Sequence, residues 1–295
     1  MELLINILPQ DIVKYVISKY YKYYTKSQNL DISSLNIFGY ETIAYDNINK
    51  LIYFCENISF DDTYLHDEYH IYNFKTNEWT NTNCMLSTIY ETHLNITYRM
   101  EQIVNNVILL IFSNTYNKFS AVLLDNNIGK RKETSILDNN VIIEKIGIRS
   151  AIIDNMYIYV ISQKEIIMYT LSGHYYKTFR ISDEIELAHK NVFVSNNYFV
   201  IVYYYKKFID VYSLTTFKKI CRHSLKKKSV TLIKTHNDFI YMYYRDLNKI
   251  EIHDIITFEH IHTISISDDI YTIEISNNVL FGISDTFKKI YMYFF

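Results

Sequence analysis

Glycine and proline are almost missing from this chain, with five and one in 295 residues. That excludes collagen-like, linker-rich and disordered classes. It also removes the glycine-dependent motifs of chemistry: no G-x-G-x-x-G, no P-loop and no G-x-S-x-G nucleophile elbow is present. Turns must therefore be made by Asn and Asp, whose short side chains bond their own backbone. The three cysteines, Cys55, Cys84 and Cys221, are far apart and form no CxxC pair. Neither a disulfide framework nor a zinc site is expected, and a reducing compartment is. No apolar run reaches the roughly 18 residues that cross a bilayer, and "MELLINILPQD" is a poor signal peptide. The expectation is a cytoplasmic protein without membrane contact. A net charge of -2 lacks the positive excess of a nucleic-acid binder.

What the chain has is apolar and aromatic: 49% hydrophobic residues, with 30 Tyr and 17 Phe. That is enough for a sizeable core, and it favours strands. One helix is expected, over 10–27, where Ile12, Val13, Val16, Ile17 and Tyr20 make one apolar stripe after Pro9 and Asp11. Beyond residue 30 the pattern becomes short apolar runs between Asn/Asp turns. "NNYFVIVYYYKKFIDVYSLTTFKKI" from Asn196 aligns with "NDFIYMYYRDLNKIEIHDIITFEHIHTI" from Asn237 and "DNMYIYVISQKEIIMYTLSGHYYKTF" from Asp154. Looser copies start at Ile48, Asn105 and Asn277. Turn markers at Asn49, Asn106, Asn155, Asn197, Asp238 and Asn278 are spaced 57, 49, 42, 41 and 40 residues apart. A further strand precedes each turn, giving four per unit, which is the signature of a propeller blade. The expected fold is all-β: a six-bladed β-propeller of four-stranded blades, residues 30–295, preceded by one N-terminal α-helix in residues 1–29. The last copy stops at its third strand. "LDISSLNI", 30–37, is expected to supply the missing fourth strand and close the ring.

Individual blades resemble known repeats. Tyr72, Thr76, Asn77 and Trp79 in "YNFKTNEWT" resemble the strand–turn–strand end of a kelch blade, although the kelch double glycine is absent. "IIMYTLSGHYYKTF" and "FIDVYSLTTFKKI" look closer to WD repeats, without the Gly-His and Trp-Asp dipeptides. "LPQDIVKYVISKYY", Leu8–Tyr21, resembles the opening of an F-box. That resemblance implies that Leu8, Pro9, Ile12, Val16 and Ile17 contact a Skp-type ubiquitin-ligase adaptor. The Asn-, Ile- and Tyr-rich style resembles propeller proteins encoded by giant DNA viruses of the mimivirus kind.

In a propeller, the turns joining second to third strands and the links between blades share one face, the top face. Expected there are Asp61, Asp62, Asp67 and Glu68 from loop 56–68, and Lys206, Lys207, Lys226, Lys227, Lys228, Arg245, Lys288 and Lys289 from the later blades. Such a two-signed surface orients a protein partner. "KKICRHSLKKK", 218–228, could meet phosphates, but with no stacking platform beside it nucleic acid is not the expected partner. Loop 61–70, "DDTYLHDEYH", is dense in carboxylate and imidazole but lacks the central glycine of a calcium loop and the spacing of a zinc helix. Inner strands offer Glu41 and Glu274 as channel carboxylates, and His253 reads as a structural strand residue. Alternating strand tyrosines are expected to fill the wedges between blades. The expectation is a non-catalytic protein-interaction propeller without cofactor or metal, in its narrower form a viral substrate receptor or host-interaction protein. The alternatives are a propeller hydrolase or lyase with a central-channel site, and a structural virion component.

Overall fold

A computed structural model describes residues 27–32, 42–46, 48–55, 67–84, 96–103, 106–113, 118–124, 134–135, 141–142, 148–153, 156–162, 165–180, 192–195, 197–204, 206–225, 230–267, 269–276, 278–284 and 289–294. The expected helix over 10–27 lies outside these residues, apart from Ser27. Among them, every regular element is a β-strand save one 3-10 turn, Arg245–Leu247. The fold is an all-β propeller, built from consecutive antiparallel meanders. The chain divides into two units, 36–192 and 1–35 with 193–295.

The second unit opens with β1 (Ser27–Asp31). Unit 36–192 then holds three sheets. The first is β2 (Thr42–Asp46), β3 (Leu51–Cys55), β4 (Asp67–Asn73) and β5 (Glu78–Cys84). Next come β6 (Ile96–Ile103), β7 (Asn106–Ser113) and β8 (Lys118–Leu124), with two-residue strands β9 (Thr134–Ser135) and β10 (Val141–Ile142) both paired to β8. This sheet departs from the expected four strands: two short pieces share the place of one. The third sheet is β11 (Ile148–Ile153), β12 (Tyr157–Ser162), β13 (Glu165–Thr170) and β14 (Tyr175–Arg180).

The other unit continues with β15 (Val192–Ser195), β16 (Tyr198–Tyr203), β17 (Phe208–Ser213) and β18 (Lys219–Ser224), of which only Val192 falls in the first unit. Then come β19 (Leu232–His236), β20 (Phe239–Tyr244), β21 (Lys249–Asp254) and β22 (His260–Ser265). The last sheet has the order β1, β25 (Lys289–Phe294), β24 (Val279–Ser284) and β23 (Ile270–Ser276). β1 is its fourth strand, antiparallel to β25 from Ser27 opposite Tyr293 to Asp31 opposite Lys289. The strand starts three residues before the expected 30–37 segment, whose residues 33–37 lie outside the described set. Alternation explains the placement: Leu30 and Ile32 are buried, and Leu30 sits opposite buried Ile290.

Period-two alternation also builds the core of this unit. On β20, Tyr241 and Tyr243 turn one way, into a cluster with Ile250, Ile252, Ile270, Leu280 and Tyr293. Met242 and Tyr244 turn the other way, against Val200, Val202, Ile209 and Val211. Tyrosines fill both wedges beside β20, whereas on β16 valines face the neighbouring sheet. Each such side chain, taken fully from water, contributes about 1.5–3 kcal/mol.

Turn chemistry repeats without glycine in three of the sheets, while the β13–β14 hairpin turns on Gly173 at φ 82°. At the third-to-fourth hairpins Asn73, Ser213 and Asp254 accept backbone N–H bonds from the loop through their side chains, at 2.8, 3.1 and 2.7 Å. Four residues on, Asn77, Phe217 and Phe258 take left-handed φ of 58°, 56° and 58°. Their N–H groups return to Asn73, Ser213 and Asp254. The kelch-like residues work locally: Tyr72 donates to Asn77 Oδ1 at 3.2 Å and its ring leans on Trp79.

Candidate partner-binding face

Within 193–295 the strand directions give each sheet two ends. At the lower end lie the first-to-second and third-to-fourth turns, tied together by one recurring bond. Leu214 N–H donates to Asn197 C=O and Ile255 N–H to Asp238 C=O, both at 2.9 Å. In unit 36–192, Phe74 N–H donates to Lys50 C=O in the same way. Neighbouring lower turns are also joined: Ser195 Oγ donates to Asn237 C=O, and Asn237 Nδ2 to Asn278 Oδ1 at 3.3 Å.

The upper end is framed differently. Lys207 and Asn248, with left-handed φ of 54° and 46°, sit in the second-to-third turns. Their carbonyls accept N–H bonds, at 2.8 Å, from Leu225 and Ile266 in the links that follow. Thr231, in the link arriving at β19, bonds Tyr243 C=O and accepts from Arg245 N–H. The frame repeats, but what projects from it does not: Lys206 and Lys207 in one turn, Arg245, Asp246 and Leu247 in the next, and Lys289 where β25 begins. All six are exposed. The structure thus brings Lys206, Lys207, Arg245 and Lys289 to one end of one unit.

The other expected face residues are placed differently. Lys226, Lys227, Lys228, Lys288, Asp61 and Asp62 lie outside the described residues, as do Leu8, Pro9, Ile12, Val16, Ile17 and Glu41. Asp67 and Glu68 are not in a loop; they open β4, opposite Cys84 and Asn83. Leu247 and Tyr271, each 49% exposed, belong to the upper end but carried no sequence signal, because an exposed apolar residue beside a strand looks like a core residue in print.

Several other charged groups are engaged within the protein. Glu274 Oε1 lies 2.6 Å from Lys234 Nζ, an ion pair across β23 and β19. Asp210, buried on β17, receives Arg222 through both its oxygens at 2.7 and 2.8 Å, and Lys219 at 2.8 Å. Burial alone would raise its pKa; hydrogen bonds from Arg222 and Lys219 outweigh it and hold the carboxyl below its ordinary range. His223, near the upper end of β18, and His253 of the next sheet stack on the two sides of the Phe258 ring, at 4.7 and 5.0 Å. His223 Nε2 faces Ile255 C=O at 3.1 Å and Cys221 Sγ at 3.1 Å. His253 reaches Phe258 C=O and Glu251, so it is a bonded strand residue. Burial pushes the His223 pKa down, and His253 adds to this; burial also lowers His260. Among the described residues no group of three His, Cys, Asp or Glu could hold a metal, and no helix is long and apolar enough to cross a membrane.

No family model matches the chain, and no curated protein matches it. Solved structures resemble it at low identity. Hsv2 of Kluyveromyces lactis is 11% identical, with a TM-score of 0.49 over 84% of this chain and 70% of that one. BamB of Moraxella catarrhalis is 10% identical, with a TM-score of 0.48 over 87% and 85%. The computationally designed Ika8 protein is 9% identical, with a TM-score of 0.46 over 87% and 71%. At these scores the fold rests on the chain's own strand order.

Proposed function

We propose that this is a non-catalytic, six-bladed interaction propeller that binds another protein through the upper end of residues 193–295. The observation that carries the reading is the contrast between the two ends. The lower end spends its polar groups on itself, bonding turn to turn. The upper end repeats only its frame and varies its projecting residues, as expected where a rigid scaffold presents a recognition surface. Its charges are of both signs but cationic on balance, with Lys206, Lys207, Arg245 and Lys289 against Asp31, Asp246 and Asp269. Such a surface favours an oppositely charged partner and disfavours wrong ones. The six-blade count is supported by six sheets, with β1 completing the sheet that the chain's last strands begin.

Co-purification from cell extract tests this. The reversal Lys206→Glu, Lys207→Glu, Arg245→Glu, Lys289→Glu is expected to lose the partner that the wild-type chain retains. Lys218→Glu, at the lower end, is expected to keep it. Equal recovery by wild type and the fourfold variant contradicts the reading.

A further inference from the structure

We infer that Tyr271 is the anchor of the upper-end surface, and that the partner it takes is an acidic protein segment carrying an apolar or aromatic side chain. This rests on the function proposed above and names its partner's chemistry. β23 pairs with β24 from Ile270 opposite Ser284, but the register then shifts, so that Thr272 stands opposite Ile283 and Tyr271 has no opposite residue. A bulge of this kind re-aims one side chain.

The bulge is held from two directions. Ile270 is fully buried, and its N–H donates to the hydroxyl oxygen of Tyr243 at 3.1 Å; Tyr243 is itself fully buried. The Ile270 side chain lies over Gly282 of β24, where an added Cβ would come within 2.5 Å of Ile270 Cδ1. Gly282 thus leaves the Ile270 side chain the room it occupies. Tyr271 is 49% exposed on a strand whose neighbours Ile270 and Ile273 are fully buried. A tyrosine fixed by backbone and held in water has the character of an interface anchor: large, stiff and amphipathic.

Its surroundings set the partner. Ile266 N–H bonds Asn248 C=O, which brings the link entering β23 to the turn bearing Arg245 and Leu247. Lys289 starts β25 at the same end. An exposed tyrosine, an exposed leucine and exposed cations match carboxylates flanking an apolar residue. Stacking plus cations also describes single-stranded RNA binding, but Asp246 and Asp269 are exposed within the surface, and a polyanion would be repelled by both. A protein segment can pair with each sign.

Selection of random twelve-residue peptides displayed on phage, against the full chain, tests the inference. Enriched peptides are expected to carry Asp or Glu beside Leu, Phe or Trp. Synthetic copies are expected to lose at least tenfold in affinity on Tyr271→Ala, and tighter binding than to an oligouridylate of equal length is expected. No enrichment, enrichment without acidic bias, or tighter oligouridylate binding overturns the inference. Acidic peptides weakened by the fourfold reversal but not by Tyr271→Ala overturn the anchor and leave the face. Peptides insensitive to the fourfold reversal overturn the face as well. A circular dichroism melt of Tyr271→Ala matching wild type shows that the loss is one of binding.

Discussion

Three side chains show how much one residue decides here. Gly282 is one of five glycines in the chain, and it stands where Ile270 needs the space of a Cβ. Gly282→Ala forces the Ile270 side chain from its well, and overpacking of this kind costs about 1–3 kcal/mol. A thermal melt is expected to fall by several degrees; a melt at or above wild type contradicts the packing. Asp210 is the second. Its folded pKa is depressed, so its contribution is present above the unfolded value near 3.8 and lost as pH falls through the lower folded value. Asp210→Asn is expected to lose about 1–3 kcal/mol at pH 7 and to respond less than wild type to acid below pH 4. Urea titrations at pH 7 and pH 3 measure both. The third is Phe258, a bulky residue at positive φ, a conformation that costs of order 1–3 kcal/mol; imidazoles stacked on both sides of its ring offset that strain.

At the scale of elements, the third-to-fourth hairpins and β1 carry the consequences. The hairpin of β21 and β22 is packed against β18 through His223, Phe258 and His253. His223 and His260 have folded pKa values below 6.5, so the unfolded chain binds more protons there. Stability is therefore full above pH 6.5 and falls as pH drops toward the lower folded values. Urea midpoints are expected to decline between pH 7 and pH 5, and His223→Phe, which keeps the stack, is expected to reduce that slope. An unchanged slope contradicts the role of His223. β1 has a separate test. Leu30→Asp places a carboxylate at a site that is 6% exposed and detaches the strand from β25, leaving an unpaired edge. Light scattering on warming is expected to rise well above that of wild type, and equal scattering would argue that β1 does not cover that edge.

For the whole molecule, the sequence carried the repeat but not the surface. Asn and Asp turns marked each meander because a chain with so little glycine had few other ways to turn, and strands β6, β11, β15, β19 and β23 all fall where the extra run before each turn was read. β1 starts three residues before the expected segment because "SQNL" has no apolar alternation of its own and its partner β25 sets the register. Asp67 and Glu68 look like loop because charge outweighs pattern there, although His70 and Tyr72 beyond them continue β4. Lysines at the upper end could be located from connectivity alone. Tyr271 could not, since a bulge breaks the period of two on which strand reading depends. The central claim is that one end of residues 193–295 binds and the other end holds. Hydrogen exchange by mass spectrometry, on the chain with and without a saturating selected peptide, tests it most directly. Slowed exchange is expected at 206–207, 245–248 and 270–271, with no change at 214–217 and 255–259; protection confined to the latter two segments would contradict the account.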